Sequence, residues 1–256
     1  MRTLIVIPAR LESTRLPRKL LLAETGRPLF WHAHEQASDA KESGQRDEWS
    51  WPMIATDSDE IIEAAKSLGC FTAKTSPHPN GTSRAAELCI RRIEGAELAA
   101  IADAICIVQG DVPDIGPDLI DEVIDALDKH PEWDCATAAC PLYTHEHENA
   151  NVVRAVVMHS DETAVDFSRT ECNSNCWHHI GIYCYRREAL LKYAAAGPCE
   201  REQAESLEQL RALHVGLKMG VVLTDEAPAG IDTREDYDAF VARYKAGLTP
   251  QPQSAQ

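Results

Sequence analysis

The chain has 256 residues, long enough to bury a sizeable core as one large α/β domain, with or without a small attached lobe. Its 25 Lys and Arg against 41 Asp and Glu give a formal charge of −16, which repels a phosphate backbone and argues against general binding to nucleic acid or an anionic membrane. The nine cysteines lack framework spacing, no signal-like apolar stretch opens the sequence, and no run approaches the roughly 18 apolar residues that span a bilayer, so a soluble, cytoplasmic protein with reduced thiols is expected.

In chain order, Thr3-Leu4-Ile5-Val6-Ile7-Pro8 is a β-branched apolar run and predicts a buried strand. A basic loop follows. Pro28 to about Ala40 predicts a helix, and Pro52-Met53-Ile54-Ala55-Thr56 a second strand. Asp59 is the expected cap of a helix through Ile61-Ile62-Glu63-Ala64-Ala65. Ala104-Ile105-Cys106-Ile107-Val108 reads as a third buried strand, ended by Gln109-Gly110-Asp111 and followed by a helix through Leu119-Ile120-Asp121-Glu122-Val123. Such alternation predicts a largely parallel sheet with helices on both faces. The second half is more mixed: Asp134 to Ala138, Val152 to Val157 and Gly181 to Tyr185 resemble strands that extend the sheet antiparallel at one edge. A single helix is expected from Glu202 to about Leu213. Its apolar stripe is Leu207, Leu210 and Leu213, which leaves Glu205, Glu208 and Gln209 free to face a site.

The chemistry concentrates in the loop after the first strand, where Arg10, Arg15, Arg18 and Lys19 crowd into an otherwise acidic chain. Ligands of open α/β sheets bind beyond the carboxyl ends of strands, so this loop is a candidate triphosphate site; the plain alternative is a solvated basic turn. It has neither the Gly-Lys-Ser/Thr ending of a Walker loop nor the glycine-rich dinucleotide fingerprint. Asp111 follows the third strand at the same end, and Asp232 follows Val221-Val222-Leu223 and a Pro/Gly loop. Two carboxylates from separate segments suit magnesium, although each alone also reads as a turn or cap residue.

These fragments occur in order with Ala55-Thr56-Asp57, Asn80-Gly81-Thr82-Ser83-Arg84, Phe167-Ser168-Arg169, His179-Ile180-Gly181-Ile182-Tyr183, Leu207-Glu208-Gln209-Leu210-Arg211 and Gly230-Ile231-Asp232-Thr233. The series resembles the 3-deoxy-manno-octulosonate cytidylyltransferase family over nearly the whole chain. The resemblance implies a Rossmann-like, glycosyltransferase-A-like nucleotidyltransferase fold: a mostly parallel sheet with helices on both faces and a small mixed lobe. Residues 1–248 would form one domain and 249–256 a disordered polar tail. The implied reaction is attack by the anomeric hydroxyl of the acidic sugar on the α-phosphorus of CTP, releasing pyrophosphate, with Mg²⁺ as cofactor and lipopolysaccharide biosynthesis as its setting.

Carried onto this sequence, the resemblance makes Arg10, Lys19, Asp111 and Asp232 the catalytic group. Ala9, Arg10, Arg15, Lys19, Arg84 and Gln109 would bind nucleotide, and Asp111 with Asp232 would hold the metal. Gln109, Arg169, His179, Tyr183, Glu208 and Gln209 would line the sugar pocket, Arg169 facing the sugar carboxylate. His179 has an ordinary alternative as a hydrogen-bonded structural residue.

Three departures accompany the match. Asp114 stands where a hydrophobic residue is usual, Ser83 replaces an acidic neighbour of Arg84, and the connection from Arg169 to His179 is shorter than the family's. In the family that connection helps form a homodimer and closes over the sugar, so the shortening bears on both. Its Cys172, Cys176 and His178 invite a zinc reading, but no second ligand pair is near and ordinary reduced thiols are expected. The other readings are transfer to a different acidic or amino-modified sugar, and a non-catalytic nucleotide-binding module.

Overall fold

The structure is a computed structural model that describes residues 1–40, 52–90, 99, 101–147, 149–170 and 175–248; the expected tail lies outside them. The chain divides into two compact units, Met1–Asp121 together with the segment from Pro228, and Glu122–Ala227.

In the first unit the apolar runs pair in parallel, in the order β3-β2-β1-β4, with β1 Thr3–Ala9, β2 Met53–Thr56, β3 Phe71–Lys74 and β4 Ala104–Ile107. β2 and β4 are buried along their whole length, and β1 is buried except at half-buried Pro8, as strands covered on both faces should be. Pro8 lies past the last β1–β4 pair, Val6 with Ile107, so its missing N–H costs that ladder nothing. Helices α1 (Leu29–Asp39), α2 (Asp59–Ser67), α3 (Gly81–Ile90) and α4 (Pro117–Lys129) connect and follow these strands. The cap of α2 is Ser58, whose hydroxyl accepts the Ile61 N–H at 3.3 Å, rather than the expected Asp59, which is the first helical residue.

The second unit has the mixed, largely antiparallel pairing expected of the second half, but as a closed ladder rather than an extension at one edge. β5 (Cys135–Pro141) pairs antiparallel with β8 (Cys176–Arg186) and parallel with β9 (Met219–Leu223). β7 (Thr163–Ser168) pairs antiparallel with β9 and with β6 (Arg154–Met158), and β6 returns antiparallel to β8. The ladder therefore closes as β8-β5-β9-β7-β6-β8. Parallel pairing predominates only in the first unit. The cause is local: β6 and β7 are joined by a short turn with Glu162 at φ 53°, and so short a connection permits only an antiparallel pair.

The helix expected from Glu202 to Leu213 is two helices, α6 (Glu200–Glu205) and α7 (Gln209–His214), preceded by α5 (Arg187–Ala196). Ser206 breaks it with φ 54° and ψ 46°. The break has a physical reason. Arg211 donates to both carboxylate oxygens of Glu202, at 2.7 and 2.5 Å, and both side chains are buried. Nine residues of continuous helix would hold them roughly 13 Å apart along the axis. A buried ion pair with this bidentate geometry, with Arg211 also stacked 4.3 Å from the Tyr193 ring centroid, outweighs the helical stripe. The break also buries Gln209, which a continuous helix would have turned outward.

Trp133 stacks on His130 with ring centroids 4.1 Å apart and covers Gly220 of β9. The chain then returns to the first unit as α8 (Arg234–Lys245). No helix among the described residues is long and apolar enough to cross a membrane. Seven described cysteines are free thiols, as expected, but Cys176 is disulfide-bonded. That overturns the reduced-thiol expectation at this position and also removes the zinc alternative, since a disulfide sulfur has no thiolate to give a metal. Cys172 lies outside the described residues.

Candidate active site

In the first unit, three segments far apart in sequence meet at Lys19. Arg18 takes a left-handed conformation, φ 58°, and opens the short 3₁₀ turn Lys19–Leu21, which turns the Lys19 side chain inward until it is 10% exposed. Its Nζ donates to Asp111 Oδ2 at 2.8 Å, to the Ile231 carbonyl at 2.5 Å and to Asp232 Oδ1 at 3.3 Å. Asp232 is held just before α8 by a capping box: Thr233 accepts the Asp236 N–H, and the Asp236 carboxylate accepts the N–H groups of Asp232 and Thr233. Asp111 is fixed through its backbone, whose carbonyl accepts the Ile231 N–H at 2.9 Å. The Ile231 carbonyl is a site group that the sequence reading missed, because a backbone acceptor carries no residue-type signal.

Pro8, Gly81 and Gly110 pack where β1 ends. A Cβ on Gly81 would stand 2.9 Å from Pro8 Cγ, and one on Gly110 would stand 3.3 Å from the Pro8 carbonyl, so a side chain at Gly81 would force a shift and Gly110 has little room for one. Gln109 belongs to the same junction, with Oε1 3.4 Å from that Gly81 Cβ position, and Ala9 is buried at the end of β1. Asn80 caps α3, its Oδ1 accepting the Ser83 N–H at 2.8 Å.

The basic side chains divide. Arg10 is exposed and makes no hydrogen bond or ion pair among the described residues. Arg15 pairs with Asp232 at 2.9 Å, and Arg18 pairs with Glu60. Arg84 is buried and already engaged, with Asp57 at 2.9 Å and the Thr75 hydroxyl at 2.5 Å, so it ties α3 to the ends of β2 and β3.

The second unit gathers His179, Tyr183 and Gln209. Between Thr137 and Ala138 the β5–β8 register slips, pairing Thr137 with Tyr183 but Ala138 with Ile180. The buried Thr137 hydroxyl fills that slip: it lies 2.7 Å from the Ile182 carbonyl and 2.9 Å from His179 Nε2. A hydroxyl has one proton; if Ile182 accepts it, His179 donates from Nε2. The Tyr183 hydroxyl donates to Gln209 Oε1 at 3.2 Å, and Glu208 immediately precedes α7. Arg169 is not joined to this group by any described hydrogen bond. Its Nε and Nη1 donate to the carbonyls of Glu205, Ala150 and Asn151, and Nη2 makes no hydrogen bond among the described residues. Fully buried Arg154 donates to the Arg169 carbonyl at 2.8 Å and to those of Glu146, His147 and Val152, binding the same segment from beneath.

Burial, with the neighbouring His178 contributing, lowers the His179 pKa to about 3, and burial lowers those of His32 and His34 to about 4. An unfolded chain protonates histidine near pH 6.5. It therefore takes up protons before the folded chain does, and stability is full above about pH 6.5 and lost as pH falls through these lower values. The urea midpoint should drop steadily from pH 7 to pH 4.5, and the drop should be shallower in His179→Gln; identical pH profiles for the two chains would overturn the His179 assignment.

Comparison with known proteins places this arrangement. A family model described as cytidylyltransferase matches residues 4–219. The chain belongs to the cytidylyltransferase family. Within that family it is 36% identical over 263 residues to the 3-deoxy-manno-octulosonate cytidylyltransferase of Rhodopirellula baltica, covering 96% of this chain and 100% of that one. To the enzyme of the same name from Brucella suis it is 36% identical over 247 residues, covering 93% and 94%. Among solved structures it is similar to a CMP:2-keto-3-deoxy-manno-octonic acid synthetase complexed with CTP, with a TM-score of 0.84 and 29% identity across 97% of this chain and 100% of that one. The α/β architecture is thus that of a nucleotidyltransferase with a mixed sheet, and this cytidylyltransferase has its Lys19, Asp111 and Asp232 side chains drawn together in one unit.

Proposed function

We propose that the chain transfers CMP from CTP to the anomeric hydroxyl of 3-deoxy-D-manno-octulosonate, releasing pyrophosphate, in the cytoplasm and for lipopolysaccharide biosynthesis. The observation that carries the reading is the convergence of Lys19 Nζ, within 3.3 Å, on two carboxylates that lie 92 and 213 residues away in sequence.

Such a transfer needs alignment and charge neutralisation rather than a covalent nucleophile. Lys19 and Arg15 supply positive charge to the triphosphate, and Arg10, which has no partner among the described residues, supplies more. Ala9 and Gln109 border the nucleotide, and Arg84 holds α3 in place for it. Asp111 and Asp232 fit Mg²⁺ by the chemistry of their donors, since that ion is commonly held by one or two carboxylates together with substrate phosphates. When bound, it would offset charge on the phosphate oxygens. In the second unit, Tyr183, Gln209 and Glu208 offer hydrogen bonds to sugar hydroxyls, and His179 fixes the strand that presents Tyr183. Nη2 of Arg169, which makes no hydrogen bond among the described residues, would face the sugar carboxylate.

Pyrophosphate release is the test, measured with CTP and other nucleoside triphosphates against a panel of acidic sugars, with and without Mg²⁺. Release is expected with CTP and 3-deoxy-D-manno-octulosonate and should depend on the metal. Absence of release with every pair would overturn the reading.

A further inference from the structure

Outside the groups that already converge on Lys19, one ion pair in the first unit stands apart. Asp114, three residues after Asp111, accepts a hydrogen bond from Arg243 Nη2 at 2.6 Å, and its side chain is 12% exposed. The other carboxylate oxygen, Oδ1, is buried without a hydrogen-bond partner. A half-satisfied buried carboxylate is a poor source of stability. What the pair does supply is a fixed distance.

Arg243 lies in the last turn of α8, whereas Asp232 immediately precedes the Thr233 cap at its other end. The helix spans 12 residues, roughly 18 Å at 1.5 Å per residue. Near its start, the Ile231 N–H is bonded to the Asp111 carbonyl; at its finish, Arg243 is bonded to Asp114. One short turn, 111–114, therefore grips both ends of a rigid rod. Between these ties the helix is pinned by buried Tyr237, whose hydroxyl accepts the Glu24 N–H at 2.9 Å, and by buried Phe240 against His32. The tie at the far end sets the tilt of the rod about that contact, and the tilt sets where the Asp232 carboxylate stands relative to that of Asp111.

We propose that Asp114 and Arg243 are a positioning pair that sets the placement of the Asp232 carboxylate against that of Asp111, and with it the affinity for the divalent cation. The proposal rests on the reading of Asp111 and Asp232 as metal carboxylates.

The experiment is Mn²⁺ binding to the full chain in the presence of CTP, followed by the electron paramagnetic resonance of free Mn²⁺, for the wild type, Asp111→Asn, Asp114→Leu, Arg243→Met, the Asp114→Leu/Arg243→Met double variant and Arg243→Lys. Arg243 is 37% exposed, but Arg243→Met leaves the 12%-exposed Asp114 carboxylate without its cation and costs stability; the double variant removes both charges, and circular dichroism confirms that each variant is folded before binding is measured. Arg243→Met should weaken Mn²⁺ binding at least threefold, Arg243→Lys should restore it to within twofold of wild type, and the double variant should be no weaker than the weaker single one. A merely structural pair would lower the melting temperature and leave Mn²⁺ affinity unchanged; that result, or losses that add in the double variant, overturns the proposal. If Asp111→Asn binds Mn²⁺ as the wild type does, the metal reading itself fails; if Asp111→Asn weakens binding and Arg243→Met does not, only the positioning pair fails.

Discussion

Lys19→Met should lower the rate of pyrophosphate release by about a hundredfold to a thousandfold at saturating CTP, the effect of removing one preorganised charge from a phosphoryl-transfer site. The size follows from its placement: the ammonium is 10% exposed and touches Asp111, Asp232 and the Ile231 carbonyl at once. Methionine keeps the stem and its packing but leaves two carboxylates facing each other without a cation between them. The folded state should survive, because Asp111 and Asp232 are 36% and 48% exposed and water can solvate them. Circular dichroism would confirm folding, and a rate within fivefold of wild type would remove Lys19 from the machinery.

Gly220→Val should abolish stable folding of the second unit. A Cβ at this position would lie 1.9 Å from Trp133 Cε3 and 2.2 Å from Cδ2, closer than any side-chain contact can be. Trp133 is 2% exposed and stacked on His130, so it cannot swing away as the tip of a flexible chain would. The expected cost exceeds about 3 kcal/mol, at or beyond the upper end for overpacked cores. Urea denaturation measures it. The Gly220→Val/Trp133→Leu double variant should recover part of the loss, whereas wild-type stability of Gly220→Val would show that the ring position carries no such constraint.

The first unit was legible because each of its signals is local. β-branched apolar runs gave β1, β2 and β4, and a basic loop followed by Asp111 marked the carboxyl ends of the strands. The Thr233-Arg234-Glu235-Asp236 capping box, readable in principle, also explains why Asp232 is held where it is. The second unit was less legible because its determinants are long-range. The Glu202–Arg211 pair breaks a helix that amphipathic spacing predicts to be continuous, and the Thr137 hydroxyl stabilises a register slip between strands some 40 residues apart. Nor does residue type tell where an arginine points. Arg84 and Arg169 read alike as ligands for an anion, yet the first is closed off by Asp57 while Nη2 of the second makes no hydrogen bond among the described residues.

The closed strand ladder of the second unit has a consequence for one connection. The segment between Arg169 and Cys176 joins β7 to β8, and each of those strands takes its backbone partners elsewhere: β7 from β6 and β9, β8 from β5 and β6. Residues can be added to or deleted from that segment without uncoupling a ladder, and a doubling of its length changes the closure entropy by only about 0.6 kcal/mol. The connection can therefore change length while the scaffold that joins Tyr183 to Gln209 stays the same.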